Sequence, residues 1–194
     1  MLANYYLHPF DKGMSDAGFN LIRYADDFVV MCQSENEARR AYEFAKRILE
    51  GDLHLKLHTL GDDNSKTRIT PYSKGFTFLG LHFQGGRTMP GPNSVKKFRE
   101  KISAVTDHRQ GQNLLKTLTS LKNTIDGWGN AYHMYDSLET FHSLDLHIRE
   151  ELANYLRAHG LLGKGHTLSS DQRRFLGIPS LEGILQRRRT TRAA

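Results

Sequence analysis

Hydrophobic residues recur at helical spacing in four parts of the chain, and each part predicts an amphipathic helix. These parts are 38–49, 95–105, 114–125 and 138–156. Ser34 and Glu37 have the spacing of a capping box before the first helix, and we expect Gly51 to end it. Asn93 or Ser94 is expected to cap the second.

Short runs of β-prone residues predict the strands. The run at 21–31 is interrupted by Asp26 and Asp27, which predicts two antiparallel strands with the carboxylates in a tight turn. Leucines alternate with polar residues at 53–57, which is typical of a strand with one buried face. The run at 76–83 has a central glycine, and a Gly-Gly pair after it predicts a hairpin turn. The pattern predicts an α+β fold in which the later part is helical.

The sequence Pro90-Gly91-Pro92 is the best candidate for a domain boundary, because these residues interrupt regular structure. We therefore expect three parts, at 1–89, 93–159 and 160–194. The last part is basic and weakly periodic, with a short helix predicted near 171–176 and a further helical turn or two at 181–189. Its arginines either contact nucleic-acid phosphates or belong to a disordered end.

Composition narrows the range of partners and compartments. The 194 residues are 38% hydrophobic, which is enough for a substantial core, and the net charge of +6 favours a polyanionic partner. Cys32 is the single cysteine, so we expect a reducing compartment and burial of the thiol as a small hydrophobe. The N-terminus lacks a signal-peptide pattern and no apolar stretch suits a membrane span, so a cytoplasmic protein without a membrane partner is expected.

The adjacent acids Asp26 and Asp27 are the clearest candidate site. Two neighbouring carboxylates repel each other, and a hard divalent cation held by oxygen ligands is the usual compensation. The sequence therefore predicts a site for Mg²⁺ (or Mn²⁺) at the hairpin tip. The alternative is an ordinary acidic surface turn.

The sequence Tyr24-Ala25-Asp26-Asp27 between hydrophobic strands resembles the catalytic hairpin of reverse transcriptases of the group II intron and bacterial retron-like branch. The resemblance implies two-metal nucleotidyl transfer. It makes Asp26 a metal ligand and Asp27 a weaker or indirect partner. It places Tyr24 and Ala25 against the primer end and the nucleotide pocket.

Three further motifs follow in the order of that family. Lys66-Thr67 resembles the Lys-Thr pair whose lysine faces the incoming triphosphate, although an exposed loop lysine is the simpler interpretation. Phe78-Leu79-Gly80 resembles the primer grip, and a buried hairpin is compatible with that role. The sequence 127–130, Gly-Trp-Gly-Asn, resembles the maturase-type thumb, in which we expect the aromatic residues to pack in the core. The resemblance covers residues 1 to about 158.

The resemblance implies a partial polymerase palm followed by an all-helical thumb, and it implies an RNA template, a DNA primer and deoxynucleoside triphosphates as partners. Basic residues of the thumb are expected to hold the template and primer by their phosphates, although a charged helix face is more often simply solvated. These residues are Lys96, Lys97, Arg99, Lys101, Lys116 and Lys122.

The chain departs from the family at its start, where the palm strand with the other metal-binding aspartate is missing. Asp11 and Asp16 are the only acids before the hairpin, and neither lies in a strand-like run. We therefore expect a C-terminal portion of an RNA-directed DNA polymerase that is inactive alone and needs an N-terminal half or self-association. The alternative is a non-catalytic maturase-type RNA-binding protein or a decayed remnant.

Overall fold

The computed structural model describes residues 2–61, 66–111, 113–135 and 137–193, without the side chains of Gln110 and of 188–193. The protein is mixed α+β and 56% helical, with small antiparallel sheets and a helical C-terminal region, which confirms the predicted fold class. Its residues group into two compact units. The N-terminal unit comprises Met1–Phe78 and Phe83–Gly85, and the helical unit comprises Leu79–His82 and Gly86–Ala194. In the described residues, no helix has both the length and the apolar character needed to cross a membrane.

The N-terminal unit is built around an antiparallel hairpin. Its elements in chain order are α1 (Leu2–Tyr6), α2 (His8–Asp16), β1 (Asn20–Tyr24), β2 (Asp27–Met31), α3 (Glu35–Lys46) and β3 (Phe76–Phe78). Strands β1 and β2 pair with Leu21 opposite Val30 and Tyr24 opposite Asp27. The predicted hairpin around the two aspartates is thus confirmed.

One face of the hairpin packs on a small helical core, and the other is open. Phe10 and Met14 of α2 are fully buried, and the Phe10 ring meets Phe28 of β2 edge-to-face at 5.1 Å between centroids. On the open face, Ile22 and Tyr24 expose 53% and 66% of their surface. The alternation follows from the two-residue period of a strand.

The helix after the hairpin begins as predicted and runs slightly further. The Ser34 hydroxyl accepts a hydrogen bond from the Glu37 amide at 3.2 Å. The Glu37 carboxylate reaches the amide of Gln33, at 2.7 Å, and not that of Ser34. Beyond α3 the helix continues as a π-helical segment, Arg47–Asp52, so Gly51 does not end it.

The strand predicted at 53–57 is wrong. Leu53 and Leu57 are buried as the alternation suggested, but the backbone is not extended, since His54 has a φ of 53°. The amide of Leu55 donates to the Leu49 carbonyl at 2.7 Å, and the amide of Leu57 donates to the Glu50 carboxylate at 3.2 Å. The preceding helix end satisfies these donors in place of a strand partner.

The run predicted as one strand at 76–83 is divided by a turn. Strand β3 is followed by β4 (Leu81–Gln84) and β5 (Arg87–Pro90) in a sheet of order β3-β4-β5. Leu79 and Gly80 have φ values of 50° and 79°, as a two-residue primed turn requires. The second turn, at Gly85-Gly86, is confirmed.

In the described residues of the helical unit, five α-helices correspond to the three predicted for 93–159 and the two shorter ones predicted for 160–194. They are α4 (Pro92–Val105), α5 (Leu114–Tyr132), α6 (Leu138–Ala158), α7 (Ser170–Phe175) and α8 (Leu181–Ala193). Gly91 precedes α4 without a side-chain cap, so the prediction that Asn93 or Ser94 caps this helix is wrong. Both lie in its first turn because the fixed φ of Pro92 already suits the start of a helix.

One hydrophobic core joins α4, α5 and α6 to the C-terminal segment of the helical unit. It includes Ile102, Ile125 and Ile148 from α4, α5 and α6. The segment 168–185 adds five buried side chains, those of Leu168, Ile178, Leu181, Ile184 and Leu185. The short helices predicted near 171–176 and 181–189 are confirmed as α7 and α8, and α8 is longer than expected.

Candidate catalytic hairpin and nucleic-acid interface

The tip of the β1-β2 hairpin is a two-residue turn of Ala25 and Asp26. Asp27 is the first residue of β2 and pairs with Tyr24 across the ladder. Ala25 has a φ of 55°, a left-handed conformation that is uncommon for a residue with a Cβ atom. The turn thus holds Tyr24, Ala25, Asp26 and Asp27 together at one exposed point.

The side chain of Arg23 stabilises the turn through hydrogen bonds. Its guanidinium donates to the Ala25 carbonyl at 2.6 Å and forms two hydrogen bonds with the Asp11 carboxylate, at 2.6 and 2.5 Å. The hydrogen bond to Asp11 raises the pKa of Arg23 further above its ordinary value. Asp11, one of the two acids before the hairpin, is therefore committed to Arg23. Sequence reasoning missed this pair because Arg23 appeared only as a polar position in a strand.

The carboxylates of Asp26 and Asp27 are exposed, and neither forms an ion pair with a residue that the structure describes. Within the same described ranges, no group of three or more His, Cys, Asp or Glu side chains could hold a metal ion. The two oxygen-bearing side chains suit a hard cation, but a two-metal centre needs more ligands. The described residues therefore do not form such a centre by themselves.

Lys66 is exposed in the loop before β3, and in the described part of the chain no ion pair joins it to Asp26 or Asp27. A second acidic pair in this loop, Asp62 and Asp63, is expected from the sequence to belong to a polar turn, and it lies outside the described residues. The hairpin gathers four predicted site residues, while the predicted role of Lys66 rests on the motif alone.

The Leu79-Gly80 turn of the predicted primer grip is fastened to the helices of its own unit. The Gly80 carbonyl accepts hydrogen bonds from the Gly91 amide at 2.8 Å and from the Ser94 hydroxyl at 3.1 Å. A Cβ atom on Gly80 would lie 3.0 Å from the Ser94 hydroxyl and 3.2 Å from that of Tyr132. The glycine permits both a positive φ and this close approach. The preceding Phe78 is half-buried at the end of β3.

The predicted nucleic-acid-binding residues of α4 are not equally available. Lys97 and Lys101 are exposed one helical turn apart, whereas the Lys96 ammonium lies 3.9 Å from the Glu100 carboxylate. The Arg99 guanidinium donates to the Ser143 hydroxyl of α6 at 2.7 Å. Four cations and one acid on a single helix produce a local positive potential.

The predicted nucleic-acid-binding residues of α5 lie on different sides of the helix. Lys116 and Lys122 are six residues apart, which separates them by about 120° around the helix axis. The Lys122 ammonium also lies 3.7 Å from the Asp126 carboxylate. A nucleic acid lying along one side of α5 would therefore not contact both lysines.

The Gly-Trp-Gly-Asn sequence lies inside α5 and packs the core. The Trp128 ring lies 4.7 Å from Phe98 and 5.5 Å from Phe141 between centroids, which confirms its predicted core role. A Cβ atom on Gly129 would lie 2.7 Å from Cδ1 of Ile184 and 3.1 Å from Cδ2 of Leu181. The second glycine therefore lets α8 approach α5 closely.

Asp145 is a buried acid whose role the sequence analysis did not identify. One carboxylate oxygen accepts from Arg173 at 2.8 Å and from the Leu181 amide at 3.0 Å, and the other accepts from the Glu182 amide at 3.0 Å. The side chain of Arg173 is equally buried and also donates to the Pro179 carbonyl. The signal in the sequence was an acid placed between Leu144 and Ile148 on the apolar face of α6.

The helical region has a counterpart among known protein families. Residues 95–160 match the model of the family described as group II intron, maturase-specific domain. The match covers 66 of the 194 residues, from α4 to the end of α6, and does not extend to the β1-β2 hairpin. No curated protein matches the chain. The chain therefore contains a maturase-type region, as the thumb motif predicted, and this region indicates a function related to group II intron maturases.

Proposed function

We propose that the helical unit binds structured RNA of the group II intron type, mainly through the phosphate backbone. The observation that carries this proposal is the match of 95–160 to the maturase-specific family, which falls on three helices with a common core. The positive charge of α4 supports it, because cationic side chains on a solvent-facing helix attract a polyanion.

The proposal extends to RNA-directed DNA synthesis through the β1-β2 hairpin. Its support is the Tyr24-Ala25-Asp26-Asp27 sequence at an exposed tip, where the turn is fixed by Arg23. Asp26 and Asp27 would contribute to a centre for Mg²⁺ (or Mn²⁺) that carboxylates outside the described residues complete. An N-terminal half supplied in trans or a second copy would provide them, with RNA template, DNA primer and deoxynucleoside triphosphates as substrates. The compartment proposed is the cytoplasm.

A second candidate function is RNA binding without catalysis. The observation that favours it is the lack of a third potential metal ligand near the hairpin tip within the described residues. In that case the hairpin would be an acidic surface turn and the helical unit would carry the whole function.

The RNA-binding proposal is tested by fluorescence anisotropy with a labelled domain of a group II intron, over a series of salt concentrations. The double variant Lys97→Gln/Lys101→Gln should bind more weakly, and its salt dependence should fall by about 0.9 in log-log slope for each lost phosphate contact. The control Lys12→Gln/Lys74→Gln removes the same charge from exposed positions of the N-terminal unit. Equal losses in both pairs, or no binding by the wild type, would contradict the proposal.

The catalytic proposal is tested by primer extension on an RNA template with Mg²⁺, with and without a co-expressed reverse transcriptase half that carries the first palm strand. Synthesis that appears on complementation and is lost in Asp26→Asn, but not in Asp16→Asn, supports it. RNA binding without synthesis in every combination supports the non-catalytic candidate.

A further inference from the structure

A groove of about 540 Å³ lies between the N-terminal turns of α4 and α6 in the helical unit. Its lining includes Pro90, Pro92, Val95, Arg99, Thr140 and Ser143. Lys96 and Glu139 complete its rim. The groove is shallow and open to solvent, so an occupant would lie along it and would not be enclosed by it.

The wall of this groove formed by the start of α4 is apolar. Val95 packs against the hydrophobic core of the unit, and Pro90 is buried where β5 ends. Pro92 is exposed in the first turn of α4, so its ring adds an accessible apolar surface. Such a surface can contact a ribose or the face of a base without requiring a hydrogen bond.

Arg99 supplies a positioned cation. Its guanidinium is held by the neutral hydroxyl of Ser143, so the positive charge is not cancelled by that partner. The arginines at 23, 39, 109 and 173 instead pair with carboxylates. A guanidinium has five N–H donors in a planar fork, and one contact leaves most of the fork for a phosphate.

The start of α6 adds a second anion-favouring feature. The Ser137 hydroxyl donates to the carbonyls of Tyr132 and Tyr135 and does not cap the first turn of this 21-residue helix. Thr140, in that first turn, lines the groove. No described side chain caps this turn, which therefore presents backbone donors and the positive end of the helix dipole beside the Glu139 carboxylate.

We propose that this groove binds one nucleotide of an RNA strand, with its phosphate at Arg99 and the first turn of α6 and its ribose or base on Pro92 and Val95. The inference rests on the proposed RNA-binding function and specifies where the helical unit holds the strand. Glu139 on the same rim repels a phosphate, which favours the Arg99 side of the groove. The groove thus assigns a specific role to one of the six cations singled out by sequence.

The test measures anisotropy of fluorescein-labelled oligouridylate RNA with the full chain. Arg99→Gln should weaken binding about tenfold, since a charge-assisted contact is lost. Arg99→Lys, which keeps the charge but loses the fork, should fall between this variant and the wild type. The matched control, Lys164→Gln, removes one exposed charge from the loop between α6 and α7 and should change affinity less.

Two charge-selective variants separate a positioned guanidinium from general attraction. Ser143→Ala keeps the net charge but frees Arg99, so it should weaken binding a few-fold with an unchanged salt slope. Glu139→Gln removes the repelling carboxylate and should tighten binding. Circular dichroism confirms that each variant keeps its helical content.

The outcomes distinguish this inference from the proposed function. If the wild type binds no RNA, both fail. If it binds RNA but Arg99→Gln behaves like Lys164→Gln, the groove is wrong while RNA binding stands.

The identity of the occupant has its own measurement. In an NMR titration, uridine 5′-monophosphate should shift the Thr140 amide at concentrations where inorganic phosphate does not. Equal shifts with inorganic phosphate would overturn the nucleotide assignment, and so would competition by polyglutamate as effective as that by RNA.

Discussion

Two aspartate sites, one in each unit, have opposite surroundings. At the β1-β2 tip, Asp26 and Asp27 are exposed and make no ion pair with a described residue. In the helical unit, Asp145 is 5% exposed, and its two carboxylate oxygens together accept three hydrogen bonds. A carboxylate that is free to take a ligand and a carboxylate that stabilises a fold therefore require opposite surroundings. The first must remain open, whereas the second must be buried with its partners.

The largest change in the free energy of unfolding is expected when the buried carboxylate is removed, and a much smaller one when the exposed carboxylate is removed. Asp145→Ala should lower the free energy of unfolding by about 3–5 kcal/mol, because it leaves Arg173 buried without its partner and uncaps α8. Asp26→Ala should change stability by no more than about 0.5 kcal/mol, as expected for an exposed turn residue. Urea denaturation followed by circular dichroism measures both, and similar losses in the two variants would remove the distinction.

A double variant tests whether the buried charge is responsible for that loss. Asp145→Leu combined with Arg173→Met removes both members of the pair and should recover part of the stability lost in Asp145→Leu alone. Recovery should be incomplete, because the amides of Leu181 and Glu182 still lose their acceptor. A double variant no more stable than the single one would show that the cap dominates.

The next largest change in stability tests how closely α5 and α8 pack against each other. Gly129→Ala should destabilise by about 1–2 kcal/mol, since its Cβ atom collides with Ile184, which is buried and has little space to move. Gly127→Ala, two residues earlier in the same helix, meets open space and should stabilise by about 1 kcal/mol. Thermal unfolding of both variants measures the difference, and equal shifts would contradict close packing of α5 and α8.

A smaller effect is expected at the hairpin tip. Ala25→Gly should stabilise the N-terminal unit by roughly 0.5–1 kcal/mol, because glycine adopts the positive φ without the strain that alanine bears. Ala17→Gly, at an exposed position of negative φ, should destabilise instead. Denaturant titration decides, and a loss of stability in Ala25→Gly would show that the turn is not strained.

The smallest effect concerns Cys32, beside the hairpin. Partial burial raises the pKa of its thiol, and the charge of Glu37 raises it further. The raised pKa favours the protonated folded form, so this contribution to stability is present below the ordinary thiol pKa of about 8.5 and is lost as the pH rises through the folded value. Cys32→Ser should therefore flatten the alkaline decline in stability, and an unchanged decline would contradict the shift.

The sequence was sufficient wherever periodicity and local turn chemistry determine structure. The hairpin at Asp26, the helices of the maturase-type region and the core position of Trp128 were all predictable, since each depends on spacing within a single element. The same pattern placed Asp26 and Asp27 at the hairpin tip, whereas the roles of Tyr24 and Ala25 come from the resemblance to reverse transcriptases and stay predictions.

What could not be predicted depends on partners that lie outside the element itself. His54 departs from a strand because Leu55 and Leu57 bond to the preceding helix end. The pairs of Arg23 with Asp11 and of Arg173 with Asp145 join residues 12 and 28 positions apart. Neither the alternation of apolar and polar residues nor the positive net charge of the chain predicts which residues form these contacts.

The position of α8 has a consequence for the order in which the protein is made. Gly129 and Asp145 are synthesised well before their partners: Ile184 packs against Gly129, and the amide of Leu181 donates to Asp145. Until 168–185 has been synthesised, the core of α4, α5 and α6 lacks five of its apolar side chains and the buried carboxylate lacks its partners. The nascent chain therefore exposes apolar surface on α4, α5 and α6 until the C-terminal segment is complete. We expect chaperones to bind the chain at this stage.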